Sequence, residues 1–257
     1  MGQVIVVPSR VSAESLQDQL KQTSARVSAS ANDLDALLGY FSGPSWPEVK
    51  RAATLLENHQ AAVIPALLRM LEDNRKVELI DTFDLIYPGA KQFFGHGGIL
   101  NYDIDWLPDR AGWLLEDLTF ENFGFEVPAL SALKHWTIQD RVQTKIQGAE
   151  DEGDERRRRE HSRLAVKRAE DWWEQSKNDW SRLNALVDVL ESNDPIRQAL
   201  ALQWLRLGET TCDGLTKAFY QVKIRPLVVR LTNSDHEDIK DNAKLLLGDI
   251  EYYWLSR

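Results

Sequence analysis

Gly43-Pro44-Ser45-Trp46-Pro47-Glu48-Val49-Lys50-Arg51-Ala52-Ala53-Thr54-Leu55-Leu56 is the stretch from which the fold of this 257-residue chain is read. After the breaker cluster Gly43-Pro44-Ser45, the residues Val49, Ala52, Ala53 and Leu56 fall at i, i+3, i+4 and i+7, the spacing of one helix face. Pro47 sits in the first turn, where its missing N–H costs nothing. A second helix is expected to carry Ile64, Leu67, Leu68 and Leu71 at the same spacing and to stop at Glu72-Asp73. Two short helices joined within about five residues are expected to run antiparallel.

Working outward, the pattern recurs near the other end. Asp194-Pro195 starts a helix with Ile196, Ala199, Leu200 and Trp204 on one side, and its expected partner carries Ile224, Leu227, Val228 and Leu231. A third start, Ser234 to Asp238, precedes Ile239, Ala243, Leu246, Leu247 and Ile250. One such pair leaves an apolar face that only a stacked neighbour can bury, which is the physical reason for repetition.

Three segments, Pro-Glu-Val-Lys-Arg-Ala-Ala (47–53), Asp-Pro-Ile-Arg-Gln-Ala-Leu (194–200) and Glu-Asp-Ile-Lys-Asp-Asn-Ala (237–243), resemble the first helices of HEAT repeats. That resemblance implies an all-α fold, with antiparallel helix pairs stacked as a short HEAT-like α-solenoid. The middle of the chain departs from the repeat, so an irregular central insert is expected. The resulting division is an N-terminal arm and helices over 1–44, HEAT-like pairs over 45–92, an insert over 93–128, connecting charged helices over 129–180, and C-terminal HEAT-like pairs over 181–257. An ordinary irregular helical domain is the alternative, since Ala and Leu at helical spacing occur in any all-α core.

Charge singles out the middle. Residues 72–128 hold 12 carboxylates against four basic residues in a chain of net charge -9, together with 10 of the 23 aromatic residues. An ionised carboxylate is expensive to bury unpaired. Asp103, Asp105, Asp109, Glu116 and Asp117 are therefore expected to face water or a cation, with Trp106 and Trp113 as candidate anchors beside them. For Trp113, Phe120, Phe123 and Phe125, core burial is the competing assignment. The run 150–179, with Arg156 to Arg159, holds 10 acids and eight bases; acids four residues ahead of arginines support an exposed connecting helix, and they cancel the field that four arginines would present to a nucleic acid.

Chemistry is sparse. Gly95-His96-Gly97-Gly98 lacks any accompanying Gly-x-Ser-x-Gly nucleophile turn, no phosphate-cradling glycine pattern is present, and Asp103, Asp105 and Asp109 lack the spacing of a calcium loop. His59, His96, His135, His161 and His236 show no ligand spacing, and Cys212 is the lone cysteine, which excludes an internal disulfide. No catalytic residue, metal site or cofactor is assigned. The acidic balance disfavours nucleic acid and anionic lipid as partners. No apolar run approaches the roughly 20 residues that span a bilayer, and Val4 to Val7 is too short for a secretory leader. A cytoplasmic location is expected.

Rings set among carboxylates supply anchors and steering toward a basic protein. The run Asp109 to Asp117 and the segment Phe120 to Phe125 resemble parts of helical-repeat immunity proteins of bacterial toxin systems. That resemblance implies a non-catalytic inhibitor of a cognate, basic toxin, with a nuclease as the natural target. A HEAT-like scaffold or adaptor is the alternative. A DNA-glycosylase-like helical-repeat enzyme is the second alternative, although an acidic groove would repel a duplex.

Overall fold

The computed structural model describes residues 21, 23–82, 85–87, 89–90, 98–99, 102–125, 152–207 and 210–250. The expectations for residues 3–7, for the turn at 93–97 and for His135 lie outside them. The described chain is all-α apart from short extended pieces.

Among the described residues the first lobe holds a helical stretch over 23–29 followed by four helices, α1 to α4. Helix α1 (Leu34–Phe41) starts at Asp33, whose carboxylate accepts the Ala36 N–H at 3.0 Å. Helix α2 (Trp46–Glu57) buries Trp46, Val49, Ala52, Ala53 and Leu56, the face read from the sequence. Helix α3 (Ile64–Leu71) buries Ile64, Ala66, Leu67 and Leu71. Helix α4 (Leu107–Thr119) also carries a proline in its first turn, Pro108, and is buried along most of its length. These helices close one core, with Val27, Leu37 and Phe41 at one end and Phe123 and Phe125 at the other.

The helix pairing differs from the one expected. Helix α2 packs chiefly on α1, and α3 packs chiefly on α4, so the segments 47–57 and 64–71 are not each other's main partner. The link between them explains why. It contains a 3-10 turn over Gln60–Ala62, with Gln60 in the left-handed region at φ 47°, and this redirects the chain instead of folding it back.

Between α3 and α4 the chain is extended and stitched on both sides. Ile80 N–H donates to Pro44 O and Trp46 N–H to Ile80 O, while Val77 N–H donates to Asp105 O and Leu107 N–H to Arg75 O. Two-residue strands β1 (Leu85–Ile86) and β2 (Gly98–Ile99) pair in parallel. Residues 102–125 of the insert are thus folded into the first lobe.

Helix α5 (Glu152–Ser176) was expected as a solvated connector. Its C-terminal half instead docks on the first core through Ala165, Ala169, Trp172 and Trp173, at i, i+4, i+7 and i+8. Trp180 then packs against both cores.

The second lobe contains α6 (Arg182–Glu191), capped by Ser181, and α7 (Pro195–Leu207), whose first N–H groups are capped by the Asp194 carboxylate. A helical segment, Lys217–Phe219, then passes through a wide π turn, Tyr220–Ile224, into α8 (Arg225–Leu231), and α9 (Glu237–Leu245) follows. Helix α7 packs on α6 and α9, not chiefly on α8 as expected, because the short link 192–194 closes α6 and α7 into a hairpin. Sandwiched in this way, α7 buries Gln198, Ala201, Leu202, Trp204 and Leu205; of the face expected from the sequence, Ile196, Ala199, Leu200 and Trp204, only Trp204 is buried and the other three are half-buried.

Candidate partner-binding site

The acids read as solvent-facing divide into two groups. Asp103, Asp105 and Glu116 are buried, which overturns that expectation for all three. Asp105, 2 % exposed, accepts the Leu79 N–H and the Tyr87 hydroxyl, each at 2.9 Å, and this neighbouring charge together with burial drives the Tyr87 hydroxyl well above its ordinary pKa. Asp103 lies beside it. The chain crosses the pair at Gly89, where a Cβ would collide with both carboxylates, so only glycine fits.

Glu116, also 2 % exposed, projects from α4 into a loop that wraps around it. Its Oε1 accepts three successive backbone N–H groups, Phe123 at 2.7 Å, Gly124 at 3.0 Å and Phe125 at 3.3 Å, while Oε2 accepts the Tyr102 hydroxyl. Such a run of N–H groups is an anion nest. The loop gets there because Phe120, with φ 58°, ends α4 in the left-handed region and Gly124, with φ 93°, bends the chain again.

Arg110, fully buried, is the hub of this layer. Its Nε donates to Ile104 O at 2.8 Å, Nη1 to Phe41 O and Gly43 O at 2.8 Å each, and Nη2 to Val77 O at 3.1 Å. Burial pulls its pKa down to about 10, with Asp105 opposing the shift. The carbonyls at the C-terminal end of α1 and the nearby Asp105 supply the counter-charge.

The other four residues, Trp106, Asp109, Trp113 and Asp117, are half-buried. They recur every three or four positions and form the one less-buried stripe of α4 and its N-cap. Each ring also has an internal neighbour: Trp113 packs on Trp46 with centroids 6.3 Å apart, and the Lys76 ammonium lies 5.8 Å from the Trp106 centroid. Neither ring is a freely projecting anchor.

The stripe ends at the joint between the lobes. Asp117 lines a small cleft of about 100 Å³ together with Thr54, Glu57, Leu200, Gln203, Trp204 and Thr210. Beneath it the fully buried Arg182 donates from Nη2 to Glu57 Oε2 at 2.6 Å and from Nη1 to Thr210 Oγ1 at 3.2 Å. The guanidinium packs against the rings of Phe120 and Trp204, at 5.5 and 4.8 Å from their centroids, and the two rings touch each other edge to face. Thr210 hydroxyl donates to Glu57 Oε2 at 2.9 Å and accepts Trp204 Nε1–H at 2.6 Å. A second tie crosses nearby, where Arg197 reaches Phe120 O and the Glu121 carboxylate, whose pKa burial raises despite the arginine.

Glu57, Arg182, Trp204 and Thr210 were not among the residues singled out from the sequence as site candidates. Arg182 left one clue, because it occupies the first position of α6, where the helix dipole disfavours a cation and some other group must hold it. Among the described residues no group of three or more His, Cys, Asp or Glu side chains is placed to hold a metal ion, and no helix is long and apolar enough to cross a membrane. No family model, no curated protein and no solved structure matches this chain.

Proposed function

We propose that this chain is a non-catalytic protein-binding module that docks a basic partner protein along the α4 stripe and into the cleft between the lobes. The reading rests on one observation: Asp117 both ends the half-exposed stripe of Trp106, Asp109 and Trp113 and lines the cleft with Glu57 and Trp204. A space of about 100 Å³ is well below the roughly 300–1,000 Å³ of sites that enclose metabolites, and it suits the head of one inserted side chain. The carboxylates of Glu57 and Asp117 and the indole of Trp204 all line this space. A Lys or Arg side chain of the partner matches both. The net charge of -9 adds long-range attraction for a cationic protein.

The biological role best matched to such a module is that of an immunity protein, which binds and neutralises a cognate toxin in the cytoplasm. Stacking of the helix pairs as a HEAT-like solenoid belongs to the same proposal. The test is coexpression with the toxin-like product of an adjacent reading frame. The wild-type chain should restore growth and form a complex. The triple variant Trp106→Ala/Asp109→Ser/Asp117→Ser should lose protection while still unfolding in one cooperative thermal transition. Full protection by that variant would remove the stripe from the interface, and failure of the wild type to bind or protect would remove the immunity reading.

A further inference from the structure

The helical run from Lys217 to Leu231 differs in charge from the rest of the molecule. It contains Lys217, Lys223, Arg225 and Arg230 and no acid, in a chain where Asp and Glu number 40 against 31 Lys and Arg. Its inner side is accounted for by Tyr220, Ile224, Val228 and Leu231, which are buried in the second core. Its outer side carries Ala218, Val222, Pro226 and Val229, all exposed, with Val222 at 69 % and Val229 at 40 %. These four recur at intervals of four, four and three residues and make a continuous apolar stripe about 16 Å long. The four basic residues flank it and are themselves exposed, although Arg230 also donates to Leu190 O at 2.6 Å. The π turn over Tyr220–Ile224 widens the helix at the middle of the stripe, where Val222 is the most exposed apolar side chain.

We infer that this outer face is a second docking surface, separate from the cleft and independent of the role proposed above, and that it takes an acidic amphipathic helical segment of a partner protein. Charge decides between occupants. A second copy presenting the same face would set four positive charges against four, and the alternative faces of a copy belong to a molecule that repels its own kind at net -9. A membrane surface is disfavoured because Ala, two Val and Pro offer no large side chain to insert, and the whole chain repels anionic lipid. A partner helix with apolar residues at i, i+3, i+4 and i+7 and carboxylates around them satisfies the stripe and its rim together, and the small side chains of the stripe permit close approach of the two helices.

The probe is a synthetic, fluorescently labelled 18-residue helical peptide with Leu and Ala on one face and Glu on the others, titrated with the full chain at low salt. Saturable binding is expected, weakened at least tenfold by Val222→Glu and by the pair Lys223→Glu/Arg225→Glu, and weakened by added salt. Both variants replace exposed side chains, and an unchanged thermal midpoint confirms that they fold. Absence of saturable binding, or binding indifferent to both variants, overturns the inference. Two further results also overturn it and reassign the face. Binding to phosphatidylserine vesicles that is abolished by Val222→Glu, without peptide binding, assigns it to membranes. A concentration-dependent dimer in sedimentation that Val222→Glu dissolves assigns it to a second copy.

Discussion

Arg182 and Glu57, 125 positions apart in the chain, meet at 2.6 Å across the joint between the two lobes, with the guanidinium wholly buried and packed against two aromatic rings. The pair closes the floor of the cleft and ties the end of α2 to the start of α6. Its strength comes from convergence, since the same Glu57 oxygen also accepts the Thr210 hydroxyl.

Removing one member of such a buried pair leaves the other charge uncompensated. Arg182→Leu and Glu57→Gln should therefore each cost about 3–5 kcal/mol in urea denaturation, the second because it leaves the wholly buried guanidinium without its counter-charge. A loss below about 1 kcal/mol for Arg182→Leu would show that the joint contributes little to folding.

Glu116 and Asp109 stand on the same helix and should behave oppositely. Glu116→Ala strands two buried backbone N–H groups and one half-buried one and should cost about 3 kcal/mol or more. Asp109→Ser, on the half-exposed stripe, should stay within about 0.5 kcal/mol of wild type. Chemical denaturation of the two variants side by side checks the division of the acids; equal losses would contradict it.

Gly112 is fixed by packing. A Cβ at this position would lie inside the van der Waals envelope of the Phe125 ring. Gly112→Ala should destabilise by about 1–3 kcal/mol through overpacking. In the Phe125→Leu background, where the ring is gone, the same change should cost markedly less, and additivity of the two substitutions would place the clash elsewhere.

Burial lifts the Cys212 thiol to about 11, with Arg182 opposing the shift. The folded pKa is raised, so the neutral thiol is favoured by folding. This contribution is fully present below the unfolded value near 9 and is lost as pH climbs from about 9 to 11. Near pH 8 the thiolate fraction should be about 100-fold below that of an unperturbed thiol, and a disulfide reagent should react correspondingly more slowly than in urea. Native and denatured rates within threefold of each other would show an open, unperturbed thiol.

Local sequence carried the helices. The face Val49-Ala52-Ala53-Leu56 is buried as its spacing predicts, as are Ile64, Leu67 and Leu71 and Ile239, Ala243 and Leu246, whereas Leu68 and Leu247 of the same expected faces are half-buried; the prolines near the starts of α2, α3, α4 and α7 mark those starts. These features depend only on contacts within a turn or two of the chain. Composition singles out Trp106, Asp109, Trp113 and Asp117, but their place on one side of α4 comes from the structure, because the sequence reading expects an irregular insert there.

The partnering of helices and the fate of the acids were decided at longer range. Whether α2 pairs with α1 or with α3 turns on the left-handed residue Gln60 in the link, and composition carries no mark of a backbone angle. Asp105 and Glu116 are tolerated inside because donors reach them from Leu79, 26 positions away, and from a loop that bends back over α4. A carboxylate in the sequence specifies a charge and an appetite for hydrogen bonds. Only the folded backbone determines whether water or a ring of N–H groups satisfies it.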